Sequence, residues 1–354
     1  MYESRVLTTR GLIVLLGGWM AWAAPGPSRA ATEDARITIE VRQGLDWLTH
    51  HQSRLGHWAA NDGRYPTAMT ALAGMSLLCE GSTTTQGQYA ENVRRAVNYL
   101  LSRSRRNGLI GDPGRDDRYT YGHGFSMLFL SQVLGEEDVQ GRRLELIDVL
   151  SRAVQFTGRS QTKAGGWGYV SAQDGNGFDE GSTTITQIQG LRGCRNAGIS
   201  VPKEIIDKAV KYIRDCTLPD GGVQYSSKGG DGRPAITAAA LACLFNAGEY
   251  DSQYVSKLLS YCEKNLGNVG QRGFGHWHYA HYYYSQVRYR GGGAPWRTYF
   301  DQISSRLLGE VKHVQTGGRQ LTYWDQGYIG PVYTTSINLV ILQLNRASLP
   351  IYQR

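Results

Sequence analysis

A repeated unit is the feature that most constrains how this chain can fold. Each unit combines an amphipathic helix pattern, a glycine-rich loop and a second, more apolar helix pattern. Successive loops start 52, 57, 56, 52 and 44 residues apart. The loops are "GHW" from Gly56, "GLIGD" from Gly108, "GGWGY" from Gly165, "GGVQY" from Gly221, "GFGHW" from Gly273 and "GGRQLTYW" from Gly317. A unit that cannot bury its apolar face alone must stack on its neighbours, so this period predicts a repeat architecture.

The two helix patterns of each unit differ in charge. First helices such as "ITIEVRQGLDWLTHHQ" place apolar residues at i, i+3, i+4 and i+7 with charges opposite, as in a partly solvated helix. Second helices such as "PAITAAALACLFNAG" carry little charge and are apolar nearly all round, as in a buried helix. Six solvated helices around six buried ones predict an all-α fold, an (α/α)6 toroid with the apolar helices inside.

The N-terminal segment is typical of a secretory signal. Arg5 and Arg10 precede an apolar run over residues 11–24, and small residues offer a cleavage site near Ala30. We therefore expect residues 1–30 to be removed, and residues 31–354 to form one exported toroid domain, periplasmic or extracellular. The net charge of +8 is spread along the chain without a basic run, which disfavours nucleic acid as a partner.

The five cysteines give no sign of a metal site. None forms a Cys-x-x-Cys pair, so a zinc site is not expected, and no cofactor is predicted. Export permits disulfides, yet a domain of this size does not need them. Cys79, Cys194 and Cys243 lie in apolar helix patterns, where a buried free thiol is the expected state.

Two units carry a family resemblance. Their glycine-rich loops and Thr/Ala-rich second helices read "AGGWGYV…GSTTITQIQGL" and "PDGGVQY…PAITAAALACL". The pattern resembles the squalene-cyclase and prenyltransferase repeat of the terpenoid-cyclase and protein-prenyltransferase superfamily, over about residues 36–345. The resemblance implies an α/α toroid with a central cavity for an isoprenoid. The Asp-x-Asp-Asp acid motif of the cyclases is absent, and the zinc ligands of the prenyltransferases are not matched, so neither activity carries over.

A site is expected at one end of the ring. Because each inner helix directly follows a glycine-rich loop, all six inner helices begin at the same end, where their unpaired N–H groups attract an anionic or polarised ligand. The candidate catalytic residues are His123, Tyr121, His278, Tyr282 and Asp231. The candidate substrate-binding residues are Tyr65, Tyr333, Arg233, His281 and Trp167.

His123 is the leading candidate for chemistry, because Gly122 and Gly124 let another group approach its backbone closely. In the stretch "GHWHYAHYYYSQV", residues 275–287, His278 and Tyr282 share one helix face. We expect one pocket at the mouth of the ring, surrounded by Tyr121, His123, His278, Tyr282 and Tyr333. The alternative is that these rings only pack the core.

Three functions fit these patterns. The first is an isoprenoid-like or other lipophilic ligand bound or transformed in an aromatic cavity, which would also allow peripheral membrane contact. The second is an extracytoplasmic glycan-active enzyme, since some polysaccharide lyases also use α/α toroids. The third is a non-catalytic binding or scaffold toroid. None of them needs an obligate partner chain.

Overall fold

The structure of the protein is a computed structural model that describes residues 29–175, 177–247, 253–271, 275–346 and 349–352. Within these ranges the chain forms twelve α-helices. The outer helices are α1 (Arg29–His50), α3 (Ala90–Ser102), α5 (Gln140–Ser160), α7 (Lys203–Asp215), α9 (Gln253–Leu266) and α11 (Gly293–Gly309). The inner helices are α2 (Pro66–Glu80), α4 (Tyr119–Glu136), α6 (Gly181–Asn196), α8 (Pro234–Ala247), α10 (Trp277–Gly291) and α12 (Pro331–Gln343).

The inner helices close a ring. Each one packs on the next in chain order, and α12 packs back on α2. Outer helices pack on the inner helices of their own or the neighbouring unit, and α1 joins the last unit through α12. The predicted all-α toroid of alternating outer and inner helices is confirmed.

The N-terminal prediction falls mostly on residues 1–28, which lie outside the described residues. The signal segment and export therefore stay predictions. No helix within the described ranges is both long and apolar enough to cross a membrane.

Two antiparallel β-hairpins lie between helices of the toroid. The sequence patterns do not predict these hairpins. Strands β1 (Gln224–Ser226) and β2 (Gly229–Gly232) precede α8, while β3 (Lys312–Thr316) and β4 (Arg319–Tyr323) precede α12. The second hairpin turns through Gly317 and Gly318, whose φ angles are +57° and +75°. Two consecutive positive φ angles fit a tight hairpin turn, which glycine adopts without steric cost.

The glycine-rich loops tie each inner helix to the preceding outer helix. In three units a buried loop tryptophan makes the same two bonds; these residues are Trp58, Trp167 and Trp324. Their indole N–H groups donate at 2.7–2.8 Å to the carbonyl oxygens of Leu48, Thr157 and Leu307, near outer-helix ends. Their backbone N–H groups donate at 2.9–3.1 Å to the hydroxyls of Thr70, Thr184 and Thr335 on inner helices. Trp167 therefore holds the loop in place and is 1% exposed, so the substrate-facing position predicted for it is wrong.

The first glycine of four of these loops cannot be replaced without strain. Gly56, Gly108, Gly165 and Gly221 have φ angles of +90° to +97°. A β-carbon at each would collide with a backbone carbonyl of the next outer helix. Only glycine combines this left-handed conformation with such a close approach, which explains why the residue recurs.

The middle of the ring is filled by side chains. Helices α6 and α10, which are not neighbours in the ring, are bridged by Gln189 to Gln286 at 3.3 Å and by the hydroxyl of Tyr279 to the carbonyl of Ser182 at 3.2 Å. At the end opposite the helix starts, the C-terminal segment 349–352 packs inward, and the Tyr352 hydroxyl bonds the Tyr282 hydroxyl at 2.9 Å. Tyr282 is thus part of this core, and its predicted place at the mouth is wrong.

Candidate functional site

Four aromatic side chains lie together at the mouth of the ring, where the inner helices begin. Tyr121 is in the first turn of α4, Tyr169 and Phe178 are in the loop before α6, and Tyr225 is in β1. Their ring centroids follow one another at 5.9, 6.5 and 6.3 Å, and each residue is half-buried. The hydroxyls of Tyr169 and Tyr225 also hydrogen-bond. We call these four residues the aromatic strip.

A buried carboxylate lies beneath one end of the strip. Glu180 caps the start of α6 and accepts hydrogen bonds from the backbone N–H groups of Ser182 and Thr183 at 3.1 and 2.8 Å. The Ser182 hydroxyl and, at 3.3 Å, the Tyr121 hydroxyl also donate to it. These donors offset the desolvation of the carboxylate. The sequence analysis missed Glu180; its signal is a carboxylate directly before an inner helix.

The environment of Tyr121 keeps its hydroxyl protonated. Burial and the negative charge of Glu180 raise the pKa of Tyr121 well above its usual value. A protonated hydroxyl can donate one hydrogen bond and accept others. Tyr121, predicted as a site residue, therefore does lie at the mouth, as a hydrogen-bonding group.

Two more carboxyl groups lie in the loop just before α4. Asp116 accepts hydrogen bonds from the Thr67 hydroxyl at 2.5 Å and from the backbone N–H of Asp112 at 3.1 Å. Its other carboxyl oxygen, Oδ1, has no hydrogen-bond partner among the described residues. Burial raises the pKa of Asp116. Asp117 is exposed and pairs with Arg64 at 3.0 Å.

Cations accompany the rings. The guanidinium of Arg118 lies 4.2 Å from the ring centroid of Tyr169, and the ammonium of Lys228 lies 5.6 Å from that of Phe178. Arg64 also donates to the hydroxyl of Tyr65 at 3.0 Å, which places that predicted residue at the same mouth.

A pocket of about 220 Å³ opens between the starts of α10 and α12. His276, His278, Tyr328 and Tyr333 are among the residues that line it. The Nδ1 atom of His278 lies 3.1 Å from Oδ1 of Asn338. The predicted residues His278 and Tyr333 thus share a pocket at the mouth.

Backbone strain concentrates at the mouth. Among the described residues, the non-glycine positions with positive φ are Asp62, Tyr65 and His276. Tyr65 and His276 each precede the first residue of an inner helix. Such strain costs about 1–3 kcal/mol per residue and is common where a site is preorganised.

His123 lies elsewhere, so the predicted meeting of His123 with Tyr121 at the mouth is wrong. Its Nδ1 atom accepts the backbone N–H of Ile110 at 3.1 Å, and Nε2 lies 3.0 Å from the Thr157 hydroxyl. The ring is 1% exposed, and burial lowers the pKa of His123 to about 3. The hydrogen bond from the Ile110 backbone N–H to His123 corresponds to the bonds in which a loop tryptophan N–H donates to an inner-helix threonine. His123 therefore occupies the place that threonine has in those units.

Of three other predicted residues, one lies away from the mouth. His281 faces the outer helix α11, where its Nδ1 atom lies 2.8 Å from the Tyr299 hydroxyl, and burial lowers its pKa to about 3. Asp231 and Arg233 lie directly before α8, where Gly232 between them pairs with Gln224 of β1. Both side chains are exposed, and their predicted roles stay predictions.

Metal ligands do not gather within the described ranges: no three histidine, cysteine or acidic residues are arranged to hold an ion. The predicted buried thiols of Cys79, Cys194 and Cys243 are confirmed, and Cys216 and Cys262 are buried free thiols as well.

No protein-family model matches this chain, and no curated protein matches it. Solved structures do. One is an inactive variant of the α-1,6-mannanase of Salegentibacter sp. HEL1_6, in which two adjacent aspartates are replaced by asparagine and α-1,6-mannotriose is bound. It has a TM-score of 0.62 and 8% identity over 88% of this chain and 98% of that chain. A D-mannose isomerase has a TM-score of 0.56 and 12% identity over 90% and 99%.

A variant of the type II terpene cyclase MstE of Scytonema, in which one aspartate is replaced by alanine and merosterolic acid A is bound, has a TM-score of 0.37 and 14% identity over 89% of this chain and 98% of that chain. The mannanase and the isomerase, with the higher TM-scores, show that the chain has an α/α toroid fold. The terpenoid cyclases are one of several kinds of protein among these likenesses.

Proposed function

We propose that the protein binds a carbohydrate chain across the mouth of the ring. The observation that carries the proposal is the aromatic strip, four half-buried rings grouped at the mouth with hydroxyl and carboxyl groups beside them. A sugar ring has apolar C–H faces and a rim of hydroxyls. Aromatic faces pack on the C–H faces of a sugar, and polar side chains hydrogen-bond its hydroxyls, so a group of rings and hydroxyls of this composition suits a glycan.

The isoprenoid hypothesis is less well supported. A polyprenyl chain needs a long apolar cavity, whereas bridging side chains and Tyr352 fill the middle of the ring. The mannanase and the mannose isomerase act on mannosides and mannose. At 8% and 12% identity those likenesses concern the fold, so the proposal rests on the strip itself.

Glycan cleavage is a second candidate function, favoured by Asp116. Its raised pKa lets it keep a proton at a higher pH than an ordinary aspartic acid, and its Oδ1 atom is unpartnered. The side chain is 1% exposed, so this role requires the loop before α4 to move and uncover Asp116 when a glycan binds. A general acid for a glycosidic oxygen needs such a proton, and hydrolysis also needs a second carboxylate, a role open to the adjacent Asp117. The mannanase described above likewise loses activity when two adjacent aspartates are replaced.

Binding is tested by isothermal titration calorimetry, in which the purified protein is titrated with oligosaccharides from plant, algal and microbial polysaccharides. We expect Phe178→Ala to weaken binding roughly fivefold to tenfold, the value of one aromatic contact. Tyr254→Ala is the matched control, because the Tyr254 ring also has a cation over it, Arg214 at 4.9 Å, but belongs to outer helix α9. Equal effects of the two variants, or no binding of any glycan, would contradict the proposal.

Cleavage is tested separately, by release of reducing ends from each glycan that binds. Asp116→Asn and Asp117→Asn should each abolish turnover, while a bound glycan is still retained. Product formation by both variants at the rate of the unmodified protein would exclude this chemistry.

A further inference from the structure

The charges along the aromatic strip bear on which glycan it binds. Arg118 and Lys228 each lie over a ring of the strip, at 4.2 Å from Tyr169 and 5.6 Å from Phe178. Both side chains are exposed. Within the described residues neither one has a carboxylate at ion-pair distance. Their positive charges are therefore available to a ligand that lies on the same rings.

The acidic residues nearby have other hydrogen-bond or ion-pair partners. Asp117 follows Asp116 at the start of α4 but pairs with Arg64 at 3.0 Å. Asp179 accepts hydrogen bonds from Tyr212 and Ser227. Glu180 is only 1% exposed and is occupied by the donors described above. Arg118 and Lys228 are thus the exposed cations over the rings, while the carboxyl groups of Asp179 and Glu180 are buried beneath them.

The two cations lie close enough together for one short oligosaccharide to reach both. The steps from Arg118 to Tyr169, from Tyr169 to Phe178 and from Phe178 to Lys228 are 4.2, 6.5 and 5.6 Å, so the charges lie at most about 16 Å apart. A chain stacked on Tyr169 and Phe178 would pass both charges. Acidic groups on sugars at the two ends of this span would each face a cation.

We propose that the strip selects an acidic glycan, one that carries carboxylate or sulfate groups, through Arg118 and Lys228. This inference rests on the proposed carbohydrate binding and specifies its substrate class. Stacking on the rings supplies the affinity common to all glycans, and the two cations supply the preference for negative charge. Because both cations are exposed, the preference is sensitive to salt.

The test compares oligosaccharides of equal length that are neutral (galacto-oligosaccharide), carboxylated (oligogalacturonate) or sulfated (sulfated galactan). We expect one or both acidic probes to bind more tightly than the neutral probe at low ionic strength, with the difference shrinking as salt is added. The double substitution of Arg118→Gln and Lys228→Gln should weaken acidic binding roughly tenfold, since each exposed ion pair contributes up to about fivefold. Binding of the neutral probe should fall much less.

The matched control replaces Lys203 and Lys211 by glutamine, two exposed lysines of α7 that pair with Asp207 and Asp215. This control removes the same net charge away from the mouth and should leave the preference intact. Equal binding of neutral and acidic probes would overturn the inference alone, as would equal losses for both probes in the Arg118 and Lys228 variant. No binding of any probe, together with no effect of Phe178→Ala on any other glycan, would overturn the proposed function as well.

Discussion

At the residue scale, His123 shows what a residue type alone does not reveal. Its glycine neighbours suggested an accessible group, yet the ring takes the place of a threonine that accepts a loop N–H. The offset from Ile110 is 13 residues, close to the 12 from Trp58 to Thr70, and comparing these offsets would have identified the role. His123→Ala leaves the Ile110 N–H unpaired and opens a cavity, so it should cost about 3 kcal/mol of unfolding free energy, measured by denaturant titration.

His123→Asn serves as the control, because its amide oxygen can still accept the Ile110 N–H, and it should cost less than alanine. Glycan binding by the folded fraction should be unchanged in both variants. If His123→Ala instead kept normal stability but lost glycan binding, His123 would be a site residue.

The same histidine makes stability depend on pH. Burial lowers the pKa of His123 to about 3 in the folded protein, against 6.5 for an ordinary histidine. The unfolded chain therefore binds more protons between these values, and stability falls as pH drops below 6.5. Between pH 7 and pH 5 this histidine should account for a loss of about 2 kcal/mol. His123→Asn lacks it, so the unmodified protein should lose that much more stability than the variant; identical pH profiles would contradict the assignment.

At the element scale, the helices were predictable because charge separates outer from inner patterns over many residues. The mouth residues Tyr65, Tyr121, His278 and Tyr333 were predictable because each follows a glycine-rich loop. The strip was not, since Tyr169, Phe178 and Tyr225 come together only through loops and a hairpin that helical periodicity does not describe. The same loops explain the conserved spacing of their first glycine, which meets the next outer helix.

Gly165→Ala tests that loop geometry. Gly165 has a φ angle of +97° and its β-carbon would strike the carbonyl of Lys208. Gly198 has a φ angle of +85° with open space around it. Gly198→Ala should therefore lower the unfolding free energy by about 1–2 kcal/mol, through the unfavourable backbone conformation alone. Gly165→Ala should cost about 1–3 kcal/mol more, because the collision adds overpacking strain. Equal losses in thermal unfolding would show that the close approach is unimportant.

At the scale of the whole molecule, the ring is closed by a seam between its first and last units. Glu40 of α1 is buried and accepts hydrogen bonds from the Thr322 hydroxyl of β4 at 2.7 Å and, at 3.1 Å, from His313 of β3. An open solenoid unfolds from its ends, whereas a closed ring has none. The seam should therefore hold α1 and α12 in one cooperative unit with the rest of the toroid.

Glu40→Ala should lower the unfolding free energy by about 1–2 kcal/mol, because it removes the hydrogen bonds that Glu40 accepts from Thr322 and His313. The buried Thr322 hydroxyl keeps the side-chain oxygen of Gln43, at 3.0 Å, as its remaining acceptor. Amide hydrogen exchange should then accelerate in α1 and in α12 together, although nearly 300 residues separate them in sequence. Glu91→Ala, which removes an exposed ion pair with Arg94 on α3, should change stability by less than about 0.5 kcal/mol and leave exchange at the seam unaltered. Faster exchange in α1 alone would mean that the first unit is merely attached to the ring, since a cooperative seam must release both of its sides at once.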